Sequence, residues 1–263
     1  MNKYNVYAIG NALVDMEFAV EDEFLNQKNI DKGVMTLVDT DQQQALYEAL
    51  AGHRGKMASG GSAANTIIAV SHFGGKAFYS CKVANDPAGD FYVQDLVAAG
   101  VDTNLHQQRE DGISGKCIVM ITPDAERTMH TNLGISETVS EAELHTDAIS
   151  ASDYVYLEGY LVTSNSGRAA AIKAREIAEQ SNVKTALTFS DPNMVRFFKD
   201  GLGEMLGGGV DLLFCNREEA LTWAETDNIE TAAEALKSIA KSYAITLGKD
   251  GALLFDGSTT IQV

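Results

Sequence analysis

The sequence predicts a layered α/β domain with a mostly parallel central sheet and a small lid built of strands. Apolar runs take turns with helix-period runs along most of the chain, while a few stretches near the N-terminus and the middle read as half-covered strands instead. There are no internal repeats or long linkers, and only three prolines interrupt the pattern. Strands spaced by helices imply parallel crossovers, because a parallel partner can be reached only through a long connection.

"YNVYAIG" (4–10) reads as a buried strand. "VDMEFAVE" (14–21) alternates, with Val14, Met16, Phe18 and Val20 on one face and Asp15, Glu17 and Glu21 mostly on the other. "GVMTLVD" (33–39) and "GKCIVMIT" (115–122) continue that half-covered sheet, and "PDAE" turns the chain into "RTMHTN". These segments, near 12–38 and 107–131, form the expected lid, whose open face could pair two copies into a homodimer. Residues 63–73 predict an apolar helix stopped by Gly74-Gly75, followed by a strand at 77–83 and a helix at 88–100. Ser140 and Glu143 form a capping box for a further helix. Strands at 153–159, 183–190, 210–215 and 243–248 then alternate with helices near 166–180, 216–224 and 230–241. The last residues, "GALLFDGSTTIQV", read as a hairpin turning at Asp256-Gly257, where a parallel sheet would next want a covering helix.

A net charge of −17 excludes a surface built for nucleic acid or anionic membrane. Cys81, Cys117 and Cys215 sit in apolar runs without metal-type spacing, and no signal-peptide core or membrane-length apolar run occurs. The expected location is the cytoplasm. Phosphate-loop, zinc-protease and nucleophile-elbow patterns are absent, and the five histidines are scattered. "GLGEMLG" (201–207) has Rossmann-like glycines but follows no strand.

Ligands of open α/β sheets gather beyond the carboxyl ends of the strands. Asn11 and Asp15 follow the first strand, Asn216 and Glu219 end the strand at 210–215, and Thr246 and Gly248 close the one at 243–248. Each also has a plain reading: Asn216 and Glu219 spell a capping box, and Asp15 on a polar strand face can be merely solvated. Ser62 is expected to cap the helix at 63–73. Gly60 and Gly61 leave the backbone bare where that helix offers free N–H groups, and Asn65, expected at its N3 position, projects to the same pole.

Together "GNALVD" (10–15), "GGSAANT" (60–66), the run 74–101, "ERTMHTNLG" (126–134), "FCNREEA" (214–220) and "ITLGKDGALLF" (245–255) resemble the ribokinase-like carbohydrate kinases, most closely adenosine kinases and their bacterial relatives. The resemblance covers nearly the whole chain. It implies a three-layer α/β/α core with a β lid over the sugar, and ATP-dependent phosphorylation of a sugar hydroxyl, foremost the 5′-hydroxyl of adenosine or a related nucleoside. Kinases for fructose or ribose, and a non-catalytic metabolite-binding domain on the same fold, are the alternatives. By the same resemblance Asp15 and Asn11 grip the ribose hydroxyls, Gly60 and Gly61 let the backbone approach, and Asn65 completes the clamp. Arg127 leans over the transferring phosphate, Asn216 and Glu219 organise Mg²⁺ through water, and Thr246 and Gly248 line the ATP side. The family's catalytic aspartate lies in a D-T-x-G-A-G-D motif, which these 263 residues do not contain. Residues 1–263 are therefore expected to form a single domain without the C-terminal part of the family fold.

Overall fold

The computed structural model describes residues 3–53, 55–106 and 109–263; positions 107 and 108 of the expected lid lie outside them. In chain order the strands are β1 (Tyr4–Ile9), β2 (Leu13–Ala19), β3 (Met35–Leu37), β4 (Gly55–Gly60), β5 (Ala77–Ser80), β6 (Asp102–Thr103) and β7 (Lys116–Ile121). They continue as β8 (Arg127–Asn132), β9 (Ser152–Glu158), β10 (Lys184–Thr188), β11 (Leu212–Asn216), β12 (Tyr243–Thr246), β13 (Ala252–Phe255) and β14 (Thr260–Gln262). The helices are α1 (Asp22–Lys28), α2 (Thr40–Ala49), α3 (Ser62–His72), α4 (Pro87–Ala98) and α5 (Thr146–Ser150). They are followed by α6 (Asn165–Gln180), α7 (Pro192–Leu206), α8 (Arg217–Ala224) and α9 (Ile229–Leu236).

Among the described residues a nine-stranded sheet runs in the order β14-β13-β12-β11-β10-β9-β1-β5-β6. Its pairs are parallel from β6 to β12, and the β13–β14 hairpin adds antiparallel strands at one edge. Successive side chains of a strand point to opposite faces, and β1 uses both. Tyr7 and Ile9 enter a core with α6, α7 and α9, while Ala8 joins a second core with α3 and α4. The sheet is thereby covered on both sides, giving three layers.

A second, five-stranded sheet has the order β3-β8-β7-β2-β4. Its strand β4 went unread in the sequence, since "GKMASG" is short, glycine-flanked and mostly exposed. The alternation in β2 is real: Val14, Met16 and Phe18 are buried. The apolar face is covered by two helices, because Leu25 of α1, Leu46 of α2 and Leu50 just after it pack with Met16, Phe18, Ile118 and Met120.

Two local expectations change. Ser140 and Glu143 do close a capping box, but over a single 3₁₀ turn, Glu141–Glu143, ahead of the short α5. "GLGEMLG" belongs to α7, a helix the glycines and Pro192 disguise.

Candidate active site

The strands β1 and β9 lie side by side, and the chain leaves them in opposite directions, β1 towards β5 and β9 towards β10. Such a reversal opens a crevice at the carboxyl ends. Here it receives Asn11 after β1 and Glu158 at the end of β9, and the second sheet roofs it. The resulting cavity measures about 230 Å³.

Strand register explains the roof. Leu37, Thr131, Cys117 and Asp15 are successive cross-strand partners on β3, β8, β7 and β2, so their side chains share one face. All four line the cavity, with Met35 and Met129 in the parallel row and Arg127 two residues further along β8. From the floor come Asn11, Gly61, Ser62 and Asn65, joined by Glu158 and Tyr160. Five of the expected site residues, Asn11, Asp15, Gly61, Asn65 and Arg127, therefore share one cavity.

The glycine pair is explained by contacts. A Cβ on Gly60 would overlap the Asp15 carboxyl group, and one on Gly61 would overlap the Asn11 carbonyl oxygen. Gly61 also holds φ at +98°, a conformation that side chains resist. Gly61, not Ser62, is the N-cap of α3, and no side chain caps it. Ser62 is the first helical residue, so Asn65 stands at N4 rather than N3, its N–H donating to Gly61 O at 3.0 Å. The Ser62 hydroxyl is buried and near enough to Glu158 to favour its charged form, but makes no well-aligned hydrogen bond.

Burial pushes the Asp15 carboxyl up to about 6; Arg127 opposes this and Glu17 adds to it. The Arg127 guanidinium is half exposed at the rim, 3.9 Å from Glu17. Glu158, which sequence reading passed over as the end of a buried strand, is fully buried and pushed up to about 7. Desolvation is the cause, opposed by the N–H groups of Ala63 and Asn11 that donate to it. Ser190, also unread, lines the cavity at φ +72° with a buried, unpartnered hydroxyl.

The remaining expected residues stand elsewhere. Asn216 and Thr246 face each other across β11 and β12, and neither they nor Glu219 and Gly248 line the Asp15 cavity. Asn216 and Glu219 close a full capping box on α8. The Asn216 N–H and Nδ2 each donate to one Glu219 oxygen at 2.9 Å. Burial, with Asp191 nearby, pushes Glu219 up to about 7. Both Glu219 oxygens are thus engaged by Asn216, and the described residues hold no cluster of three or more metal-binding side chains.

A protein-family profile described as pfkB family carbohydrate kinase matches residues 30–263. An adenosine kinase from Schizophyllum commune is 25% identical over 254 residues, covering 93% of this chain and 71% of its own length. A guanosine-inosine kinase from Escherichia coli (strain K12) is 27% identical over 241 residues, or 88% of this chain. The chain spans 55% of that relative's length. The crystal structure of adenosine kinase from Sinorhizobium meliloti superposes with a TM-score of 0.92 at 34% identity, covering 99% of this chain and 80% of that one. The crevice at the strand reversal, the second sheet above it and these matches agree: the chain belongs to the pfkB family of carbohydrate kinases and has their ribokinase-like α/β fold.

Proposed function

We propose that the chain carries the acceptor site of an ATP-dependent nucleoside kinase acting on the 5′-hydroxyl of adenosine or a close relative. The observation that carries this reading is the mixed lining of one cavity. Asn11, Asp15 and Asn65 supply hydrogen-bonding groups, while Met35, Leu37, Met129, Leu133 and Met194 supply an apolar wall. A free sugar has hydroxyls on every side and would leave that wall unmatched. A nucleoside has a polar ribose and a flat base, and so suits both. The relatives' names, adenosine kinase and guanosine-inosine kinase, support the same choice.

In this reading Asp15, ionised above pH 6, accepts hydrogen bonds from the ribose hydroxyls, and Asn11 and Asn65 fix the ring between them. Gly61 lets the backbone come close. Phosphoryl transfer asks mainly for positioning and charge stabilisation. Arg127 at the rim is suited to the second task, leaning over the phosphate as it transfers. Asn216, Glu219, Thr246 and Gly248 face the ATP side, where Mg²⁺ carried on the phosphates would offset their charge. Closing the small sheet over the acceptor would exclude water. Three buried, unpaired thiols suit a cytoplasmic enzyme.

Calorimetry tests the acceptor. Burying ~100 Å² of base at about 25 cal/mol/Å² is worth roughly 2.5 kcal/mol, so adenosine should bind some tenfold to a hundredfold tighter than ribose or fructose. Equal affinities would overturn the nucleoside reading. Because the D-T-x-G-A-G-D motif is not among these 263 residues, they alone should bind acceptor with negligible ADP release.

A further inference from the structure

The buried carboxylate of Glu158 has no part in the scheme above, yet it touches both halves of the proposed sugar clamp. Parallel pairing of Ile9 with Leu157 brings the ends of β1 and β9 together, so Glu158 lies beside Gly10. Its Oε1 accepts the Asn11 N–H at 3.3 Å, and its Oε2 accepts the Ala63 N–H at 2.9 Å. Asn11 leads into β2 and Asp15, while Ala63 sits in the first turn of α3 between Gly61 and Asn65. A side chain at position 10 would overlap both Glu158 Oε2 and the Ala63 methyl, so the three strands of contact meet without slack. Glu158 is 1% exposed, and it lines the cavity itself.

We infer that Glu158 is a positioning residue for acceptor binding, its ionised carboxylate tying the Asn11 turn to the first turn of α3 and so setting the spacing between Asn11–Asp15 and Gly61–Asn65. This rests on the nucleoside-kinase reading. An ionised carboxylate offers acceptors on both oxygens, matching two N–H donors. Protonation leaves one oxygen a weaker, neutral acceptor, and the charge that strengthens both N–H contacts is lost, so the tie loosens. Burial sets that transition at about pH 7. The titratable groups around it, Tyr79 on β5, Cys81, Tyr92 on α4, Tyr156 on β9 and Tyr160, are all pushed upward by burial and stay protonated there. Asp15 shares the cavity but titrates lower, at about 6.

The test is adenosine affinity by calorimetry from pH 6.5 to 8.5, for the wild type and Glu158→Gln. The wild type should bind about threefold more weakly at pH 6.5, where roughly three quarters of Glu158 is protonated, since full loss of one hydrogen bond to a charged group costs about tenfold. Glu158→Gln, permanently neutral, should be about tenfold weaker at pH 8.5 and nearly flat across the range. A flat wild-type profile overturns the proposal even if the variant does not fold. So does a variant that binds like the wild type, or one that is weaker but keeps the wild-type pH step, which would mark a packing role only. Those three results leave the nucleoside reading intact. Absence of any adenosine binding by the wild type sinks both.

Discussion

The N-termini of α3 and α8 stand at the carboxyl ends of the same sheet and are finished in opposite ways. At α8 the helix's own residues do the work: Asn216 and Glu219 exchange hydrogen bonds, and the amides of the first turn are served locally. At α3 the cap is a bare Gly61, no side chain caps the helix, and Ala63 finds its acceptor in Glu158, distant in sequence. A helix start that satisfies itself needs nothing from outside. One that borrows an acceptor from another strand ties two parts of the chain together and keeps its pole open to a cavity. The difference separates a carboxylate held in its own helix's cap, Glu219, from a helix start whose pole opens on a cavity.

The comparison can be broken at its strongest point first. Gly61→Ala should destabilise the protein by roughly 3–4 kcal/mol, the combined cost of a left-handed alanine and an overlap with the Asn11 carbonyl. Urea unfolding that shows no loss would refute the tight α3 start. The pH dependence is next. Burial raises Glu158 from the usual 4.5 to about 7, so folding takes up a proton between those values. Its contribution to stability is full below pH 4.5 and is lost as pH rises through 7. Glu158→Gln removes that slope, and its stability relative to the wild type should climb by about 3 kcal/mol between pH 4.5 and 8. Parallel stability curves for the two proteins would contradict the assigned burial.

A smaller effect belongs to the ligand. Asp15→Ala should weaken adenosine binding by roughly 1–3 kcal/mol, since ribose hydroxyls lose a charged acceptor, with little change in unfolding. Unchanged affinity would remove Asp15 from the acceptor site. The smallest sharpens the contrast from the other side. Asn216→Ala should cost about 1 kcal/mol of stability, an ordinary cap, and leave acceptor affinity untouched. A loss of acceptor affinity there would mean the two helix starts are coupled.

Much of this arrangement was legible in the chain. The carboxyl ends of the buried runs pointed to Asn11, Asn216 and Thr246, and the paired glycines at 60 and 61 announced a close approach. What the glycines approach was not legible. Gly60 makes room for the Asp15 side chain and Gly61 for a carbonyl, contacts between segments some fifty residues apart. The helices α1 and α2 escaped notice because their polar, glutamine-rich surfaces mask short apolar stripes, and with them went the cover over β2 and β7.

The sequence by itself determined the clearest periods: the apolar strands of the central sheet, the helices at α3, α4, α6, α8 and α9, and which face of β2 is apolar. Those follow from the spacing of side chains along a local backbone. Only the tertiary structure decided that the polar face of β2 looks into a cavity rather than water, and that the end of β9 delivers a carboxylate to the start of α3. Burial and pairing depend on partners brought together by sheet register across the fold. No local pattern records them, because a glutamate at the end of an apolar run reads the same whether it meets solvent or two amide hydrogens.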